Sequence, residues 1–436
     1  MKSVNQNVKP ITFNINEKNH MEIGGIDTVK LVEKYGSPLY VIDEETLRTM
    51  CRQYKEAFSI YPHTRFLFAS KAFCSMATNR ILLQEGFGLE VVSGGEIYTA
   101  LKSDFPMESM SFNGNNKSVK EIELALNSNL GRIVVDNFAE LKLLDSICKK
   151  LDKTVNILLR VTPGIECHTH EYIKTGQTDS KFGFDLSQLN QAVTSIIKDC
   201  TNLKLTGLHA HIGSQIFETE VFYDEVGILL KKFAGIKEEF GIELLEMNVG
   251  GGLGVRYIDS EYPPSVFTIA KFFTNSIQDH CRELNIKEPT LILEPGRSIV
   301  STAGVTLYTI GTWKQVPHGT RYIAVDGGMA DNPRPSTGNA AAEEEVTIAG
   351  RYCESGDILI KDILLPKVEA GDILCVFNTG AYNFSMSSNY NSVPRPPVIL
   401  VNKGQADIIV EGETWDDIVS KQKIPRRLTA QMAGTV

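Results

Sequence analysis

The first feature of the sequence that could do chemistry is a lysine at the end of an apolar run. Lys71 follows the segment RFLFAS at residues 65–70, next to the apolar residues Phe68 and Ala69. Partial desolvation in such surroundings disfavours the ammonium form, lowers the lysine pKa and frees the amine to form an imine with an aldehyde. Because an isolated lysine is usually a solvated surface charge, this interpretation depends on the residues that share its site.

Two glycine-containing turns later in the chain are typical of phosphate-binding loops. Gly250–Gly252 follows the apolar run 244–249, and Gly296 follows the run 290–294. Glycine lets backbone N–H groups approach a phosphate closely, and the N-terminus of a following helix adds a favourable dipole. The segment GGGLG at 250–254 lacks the GxGxxG spacing of dinucleotide-binding loops, so a dinucleotide is disfavoured.

Histidines at a spacing of two residues leave metal binding open as an alternative. The sequence contains two such pairs: His209 with His211, and His168 with His170, which follow Cys167. Residues i and i+2 of a strand point to the same side, as two metal ligands would. However, Gly213 and Ser214 directly after the first pair suit phosphate capture, and no clustered carboxylates complete a metal shell. The sequence therefore favours a phosphate over a metal, and His209 is most simply a histidine inside the protein.

Eight short apolar runs, separated by longer amphipathic segments, indicate how these residues are positioned. The runs lie at 65–70, 88–93, 109–113, 132–136, 155–161, 203–211, 244–249 and 290–294. Asn137 is a plausible N-cap for one of the helices between them. Buried strands that alternate with helices predict a parallel sheet covered on both faces. Eight units in about 260 residues match a closed (β/α)8 TIM barrel, with an open doubly wound sheet as the alternative.

The carboxyl ends of the strands form the active-site rim of such a barrel, so the residues after each run should converge. These residues are chemically rich: Lys71, Ser93–Glu96, Asn113, His211–Ser214, Gly250–Gly252 and Glu294–Arg297. Their convergence is stronger evidence for a site than any one motif.

The remainder of the chain predicts a second, all-β domain. After about residue 300 the segments are short, β-prone and bounded by Gly, Pro and Asn, which is typical of strands and turns. A strand-like patch, ITFNI at 11–15, suggests that the first residues join this domain. We therefore predict a barrel domain at 38–300, and a β-sandwich or β-barrel-like domain formed by 1–37 and 301–436.

Composition narrows the function classes. The 436 residues carry a net charge of −9, which disfavours a nucleic-acid or anionic membrane surface. The sequence has no apolar run that is long enough to predict a membrane span, and its polar N-terminus contains no secretory signal. Eight cysteines without a CxxC pair are typical of free thiols in a reducing compartment. We expect a cytoplasmic protein that acts on a small molecule.

A series of motifs then resembles a known family. In chain order they are FASKAF at 68–73, GLEVVSGGE, SKFGF, HAHIGSQ, NVGGGLG, EPGRSIV, DGGMADNPRP, CESGD and GAYNFSMSSNYN. Together they closely resemble the diaminopimelate decarboxylases, which are fold type III, alanine-racemase-like enzymes dependent on pyridoxal 5'-phosphate. The resemblance runs from about residue 25 to 428. It implies decarboxylation of meso-2,6-diaminopimelate to L-lysine and CO2, the last step of lysine biosynthesis.

The resemblance also implies roles for individual residues. Lys71 would bind the cofactor covalently, His211 would pack on its ring, and Glu294 would pair with its pyridine nitrogen. Ser214, Gly252 and Gly296 would bind the phosphate, and Pro295, Arg297 and Tyr382 belong to the same cofactor site. For the substrate, the implied residues are Arg297 and Arg334 on its distal carboxylate, Glu354 on its distal ammonium, and Tyr382. Cys353 would protonate the carbanion.

In the family, the CESGD segment reaches into the site of a neighbouring subunit, which implies a homodimer with shared active sites. One departure from the family pattern concerns Gly338, where a substrate-binding tyrosine is usual, in a segment about one helix shorter. Two alternatives therefore stay open: a related decarboxylase acting on another amino acid or a carrier-linked glutamate, and a non-catalytic pyridoxal-phosphate-binding regulator.

Overall fold

A computed structural model describes residues 1–164, 180–333 and 344–429. Arg334, Gly338 and the pair His168 and His170 with Cys167 lie outside the described residues. The chain begins with the following elements: β1 (Asn14–Ile15), β2 (Met21–Ile23), β3 (Ile26–Asp27), α1 (Thr28–Tyr35), β4 (Leu39–Asp43) and α2 (Glu44–Ala57). The first three strands form a small antiparallel sheet of their own.

Eight parallel strands close into a barrel. They are β5 (Thr64–Ala69), β6 (Gly88–Val91), β7 (Met110–Phe112), β8 (Arg132–Val135), β9 (Val155–Thr162), β11 (Leu203–His209), β12 (Glu246–Asn248) and β13 (Thr290–Leu293). Pairing of β13 with β5 and of β8 with β9 closes the ring, while the short β10 (Phe184–Asp185) extends it beside β9. The predicted (β/α)8 barrel is confirmed, because each apolar run of the sequence is one of these strands.

Helices follow the strands and cover the outside of the barrel. They are α3 (Met76–Gln84), α4 (Gly94–Lys102), α5 (Val119–Asn127), α6 (Phe138–Lys150), α7 (Leu189–Asp199), α8 (Glu220–Phe240), α9 (Val266–Leu284) and the short α10 (Arg297–Val300). The predicted N-cap is confirmed, since the Asn137 side chain accepts a hydrogen bond from the Glu140 N–H at 3.0 Å. Such caps satisfy backbone donors that the first helical turn leaves free.

The C-terminal part forms a second, mainly β unit. Its elements are β14 (Gly304–Gln315), β15 (Arg321–Val325), β16 (Glu344–Ala349), β17 (Ile358–Leu365), β18 (Ile373–Phe377), β19 (Val398–Asn402), β20 (Gln405–Val410), α11 (Trp415–Val419) and α12 (Arg426–Thr429). The sheet has the order β17-β16-β15-β14-β4-β19-β20, and β18 also pairs with β14. Ile23 and Leu31 of the N-terminal segment pack in one hydrophobic cluster with Val305 and Ile399 of this sheet. The assignment of residues 1–37 to the β domain stays a prediction.

One sequence-based expectation concerns the boundary between the barrel and the β domain. Strand β4 at 39–43 lies in the β sheet between β14 and β19, whereas α2, which follows it directly, packs against α9 of the barrel. The exact division at residues 38 and 300 stays a prediction.

Within the described ranges, none of the helices combines the length and apolar character needed to cross a bilayer.

One carboxyl group is buried in the hydrophobic core without an evident function. Glu225 of α8 is 0% exposed, and neither of its carboxyl oxygens has a hydrogen-bond partner among the described residues. Burial raises the pKa of Glu225 well above its usual range, because ionisation in apolar surroundings is unfavourable. The folded state therefore keeps this side chain protonated at pH values where the unfolded chain ionises it.

The variant Glu225→Gln should be more stable than the wild type, by an amount that grows with pH. In the wild type, stability is unaffected by this group below about pH 4.5 and falls by up to about 1.4 kcal/mol per pH unit above it, until the folded-state pKa is reached. Glutamine does not ionise, so the variant lacks that loss. Denaturant unfolding at pH 5.5 and pH 8 measures the difference. Glu238→Gln, on the exposed face of the same helix, is the control, and equal gains at both pH values would contradict the expectation.

Candidate active site

A cavity of about 420 Å³ opens at the carboxyl ends of the barrel strands. It is lined by the predicted rim residues Lys71, Asn113, His211, Ser214, Gly252, Glu294, Gly296 and Arg297. Tyr382, which the family resemblance assigned to the cofactor site, lines it as well. Pro295 is not among the lining residues; its carbonyl accepts a hydrogen bond from the Ala69 N–H at 3.1 Å, which ties two strand ends together. Residues that are distant in sequence thus share one cavity, because parallel strands present their ends on one side.

Lys71 lies on a single 3-10 turn, Ser70–Ala72, directly after β5. Its side chain is 41% exposed, and Nζ lies 3.5 Å from Oε2 of Glu90. Burial alone would lower the lysine pKa, as the sequence analysis expected, but Glu90, Tyr382 and Glu294 together outweigh it and the pKa of Lys71 is raised. The expectation of a lowered pKa was wrong because the sequence did not reveal the carboxyl across the neighbouring strand.

Glu294 follows β13 and is surrounded by hydrogen-bond donors. Its carboxylate oxygens accept from Asn248 Nδ2 at 2.7 Å, from Asn113 Nδ2 at 3.1 and 3.2 Å, and from His209 Nε2 at 3.1 Å. Burial would raise the pKa of this carboxyl, but His209, Asn248 and Lys71 together lower it below its usual range. Glu294 is therefore an ionised carboxylate on the floor of the cavity.

Glu90 is a functional candidate that the sequence analysis missed. It lies in the middle of β6, is fully buried, and its Oε1 accepts a 2.9 Å hydrogen bond from Asn113 Nδ2. The same amide nitrogen serves Glu294, so the two carboxyls lie close to each other. Burial and the neighbouring Glu294 raise the pKa of Glu90. Their surroundings thus shift the pKa of Glu90 upwards and that of Glu294 downwards, which is the kind of arrangement that separates an acid–base group from a permanent anion.

Arg160 is a second residue that the sequence analysis missed. It is a buried residue of β9 that lines the cavity, and its guanidinium lies 4.2 Å from the centre of the Phe182 ring. Glu90 and Arg160 both interrupt apolar runs, GLEVVS and VNILLRV, that predict buried strands. A charged residue inside a buried strand is a signal that could have identified both, because such charges are rarely buried without a partner or a ligand.

The histidine and the glycines at the strand ends shape a compact binding surface. Burial, Lys71 and Arg160 lower the pKa of His211 well below its usual value, so its ring is neutral. The Nδ1 atom of His211 accepts a 3.4 Å hydrogen bond from the Gly251 N–H. In the described part of the chain, no three His, Cys, Asp or Glu side chains are grouped as metal ligands.

Glycine is required where the backbone comes close to its neighbours. A Cβ atom on Gly252, whose φ is +120°, would lie 2.9 Å from the Gly213 carbonyl oxygen, and one on Gly296 would lie 2.9 Å from Ala69 Cβ. These positions leave backbone open to the cavity, as phosphate binding requires. The Ser214 hydroxyl lies beside them and accepts hydrogen bonds from Arg297 Nε and Nη2, both at 3.2 Å.

Arg297 connects the barrel rim to two tyrosines. Its Nη1 donates a 2.6 Å hydrogen bond to the Tyr257 hydroxyl, and its guanidinium lies 4.7 Å from the centre of the Tyr382 ring. Tyr382 adopts a φ of +65°, and its N–H donates to the Ala72 carbonyl at 2.9 Å, one residue beyond Lys71. The C-terminal domain thereby contributes a side chain to the cavity.

The predicted proton donor lies on an exposed loop of the β domain. Cys353 and Glu354 are exposed and do not line the cavity of the same chain. The loop is nevertheless held in place, because Asp357 accepts hydrogen bonds from the Met329 N–H at 2.6 Å and the Tyr352 N–H at 2.8 Å. The Cys353 N–H donates to Asn391 Oδ1 at 3.0 Å. An ordered loop presents these two side chains to the outside of the chain.

Similarity to known proteins defines the class of this chain. A family model described as "Pyridoxal-dependent decarboxylase, pyridoxal binding domain" matches residues 44–301. The barrel, the lysine at the end of its first strand and this match define a pyridoxal-phosphate-dependent decarboxylase.

Relatives over the full length specify the family. Diaminopimelate decarboxylase of Synechocystis sp. is 47% identical over 98% of this chain and 95% of its own length, and that of Bacillus subtilis is 44% identical over 93% and 95%. The crystal structure of diaminopimelate decarboxylase from M. jannaschii has a TM-score of 0.90 at 35% identity, with 96% and 99% of the two chains covered. The enzyme from Helicobacter pylori complexed with L-lysine has a TM-score of 0.83 at 30% identity, with 90% and 98% covered. The chain belongs to the diaminopimelate decarboxylase family.

Proposed function

We propose that this protein decarboxylates meso-2,6-diaminopimelate to L-lysine and CO2 with pyridoxal 5'-phosphate as its cofactor. The observation that carries the proposal is the convergence of an amine, an ionised carboxylate and an open glycine-lined backbone in one cavity: Lys71, Glu294, and Gly252 with Gly296. Names of the relatives support the substrate, and the donor set of the cavity supports the cofactor.

The cavity residues fit each part of this cofactor. Lys71 would bind its aldehyde carbon, Ser214, Gly252 and Gly296 would hold its phosphate, and Glu294 would face its ring nitrogen. The neutral ring of His211 would pack against the cofactor ring. The buried guanidinium of Arg160 would bind an acidic oxygen of the cofactor through its positive charge. When bound, pyridoxal phosphate supplies an electron-poor ring that takes up the electron pair left by the departing carboxylate.

A neighbouring carboxyl would remove the proton of Lys71 and return it. An ammonium is not a nucleophile, so Lys71 must lose a proton before it can bind an aldehyde carbon. Glu90 Oε2 lies 3.5 Å from Nζ, so its carboxyl would be in position to take up that proton. The same carboxyl can return the proton when the substrate amine displaces Lys71.

Other residues would select the substrate and complete the reaction. We infer that Arg297 and Arg334 bind the distal carboxylate, that Glu354 binds the distal ammonium, and that Tyr382 contacts both cofactor and substrate. Cys353 would protonate the carbanion at the reacting carbon, for which a thiol that is mostly protonated at neutral pH is suited.

The exposed position of Cys353 and Glu354 supports a homodimer with shared sites. In this arrangement each loop would enter the cavity of the partner subunit, so that two chains build two complete sites. A cytoplasmic location is part of the same proposal, and the free thiols among the described cysteines are consistent with a reducing compartment.

Purified protein should prefer a substrate with a second carboxylate. We expect kcat/KM for meso-2,6-diaminopimelate to exceed that for L-lysine, L-ornithine or L-arginine by about 10- to 100-fold or more, because a buried arginine would lose a charge-assisted hydrogen bond with the smaller substrates. Release of CO2 and formation of the amine product measure the preference.

The same assay separates the alternatives left by Gly338. A higher kcat/KM for an amino acid that lacks the second carboxylate, or for a carrier-linked glutamate, would assign the protein to another substrate. A cofactor-loaded protein without turnover on any of these compounds would favour a binding or regulatory role.

A further inference from the structure

His209 has a definite position in the barrel but no role in the proposed reaction. It is the last residue of β11, its side chain is 1% exposed, and its backbone pairs in register with Arg160 of β9 and Asn248 of β12. Three polar residues on adjacent strands at one level point into the barrel, where apolar residues are usual. Arg160 and His209 line the cavity, and His209 and Asn248 hydrogen-bond to Glu294.

In the described part of the chain, the hydrogen bonds to the Glu294 carboxylate come from nitrogen atoms of Asn113, Asn248 and His209. Oε1 accepts from the two asparagine amides, and Oε2 accepts from Asn113 and His209. A proton on either oxygen would face an N–H donor instead of an acceptor, so this arrangement suits an ionised carboxylate only. Nδ1 of His209 has no hydrogen-bond partner among the described residues. We therefore assign the ring proton to Nε2, since an unpaired buried N–H is costly.

The other charged groups around Glu294 explain why such a donor is needed. The positive charges of Lys71 and Arg160 attract both Glu294 and Glu90. The ring of His211 also lies nearby. Glu90 competes with Glu294 for the Asn113 amide and would repel it if both were ionised. Asn113 donates to both carboxyls, and Asn248 donates to Oε1 of Glu294. Among the described donors, His209 is therefore the one that serves Oε2 without also serving Glu90.

We infer that His209 is a positioning residue, which acts through its Nε2–H on Glu294 to keep that carboxylate aimed at the cofactor's ring nitrogen. The inference rests on the proposed function for the identity of the cofactor. Without this donor, the carboxyl is free to rotate or to take up a proton, and the ring nitrogen loses its anionic partner. The ring then accepts electrons less readily, because an unprotonated nitrogen withdraws less charge.

Two variants of the holoenzyme with similar side-chain volumes separate donation from packing. His209→Gln retains an N–H donor, and His209→Leu removes it. We expect His209→Leu to lower kcat for meso-2,6-diaminopimelate about 10- to 100-fold with little change in KM, as for loss of one hydrogen bond to a charged group. His209→Gln should recover most of that loss.

The visible absorbance of the substrate-free holoenzyme gives a readout independent of turnover. In His209→Leu the pH midpoint of the cofactor spectrum should rise, because loss of positive charge on the ring makes the lysine–cofactor nitrogen more basic. His209→Gln should keep the wild-type midpoint. Since no substrate is present, this measurement tests His209 even if the protein acts on another amino acid.

A double-mutant cycle with Glu294→Gln completes the test and does not depend on His209→Leu being as stable as the wild type. In the Glu294→Gln background, His209→Leu should change kcat by less than about twofold, since the partner that it serves is gone. Unchanged kcat and spectrum in His209→Leu, equal losses in the Leu and Gln variants, or full additivity in the cycle would each overturn the inference and leave His209 as a packing residue.

Discussion

Lys71→Ala should abolish decarboxylation, with kcat lowered about a thousandfold or more. The variant loses both the covalent attachment of the cofactor and the amine that exchanges with the substrate, and such groups contribute factors of this size. The purified variant should also lose the visible absorbance of the bound cofactor and release the cofactor on dialysis. Steady-state assays of lysine formation and absorbance spectra measure the two effects.

The matched control for this prediction is Lys102→Ala. Lys102 is exposed at the end of α4, away from the lining of the cavity. It should have the activity and colour of the wild type. If Lys71→Ala retained normal colour and turnover, the cofactor would have to be held by another residue, and the proposed site would be wrong.

Mixing two inactive variants should restore activity if the sites are shared between subunits. Cys353→Ala removes the proposed proton donor, and we expect a loss of about 10²- to 10⁴-fold. After equal amounts of Lys71→Ala and Cys353→Ala chains are unfolded and refolded together, about half of the dimers are mixed, and each mixed dimer contains one site with both residues. About a quarter of the wild-type activity should return.

A second mixture tests whether the restoration comes from shared sites. Lys71→Ala and Glu294→Gln alter two residues on the rim of one barrel, so every site in their mixed dimers is defective and no activity should return. Mixed dimers of Lys71→Ala and Cys353→Ala that stay inactive would show that both residues act within one chain. That result would contradict the proposed role of the exposed CESGD loop.

The barrel was predictable because its pattern is local. The run RFLFAS became β5 (Thr64–Ala69), and the other seven apolar runs became strands with bounds that differ by at most a few residues. Asn137 capped its helix as predicted. Strand and helix signals depend on neighbouring residues in the sequence, so they can be recognised without knowledge of the tertiary contacts.

The site was only partly predictable. Rim residues such as Lys71 and Gly252 directly follow strands, so the barrel topology alone brings them together. Glu90 and Arg160 lie inside strands, where their sequence context is that of apolar core residues. The family resemblance named residues that would contact the cofactor, and it did not extend to the groups that hold those residues in place.

By itself the sequence determined which elements form, in which order they follow one another, and which reactive side chains stand at the strand ends. Only the tertiary structure decided which charges face each other. The pKa of Lys71 is raised because Glu90, Tyr382 and Glu294 lie around it, and Glu294 stays ionised because donors from three other strands or their ends surround it. Electrostatic energies depend on distance and burial across the barrel, and neither quantity is encoded in spacing along the chain.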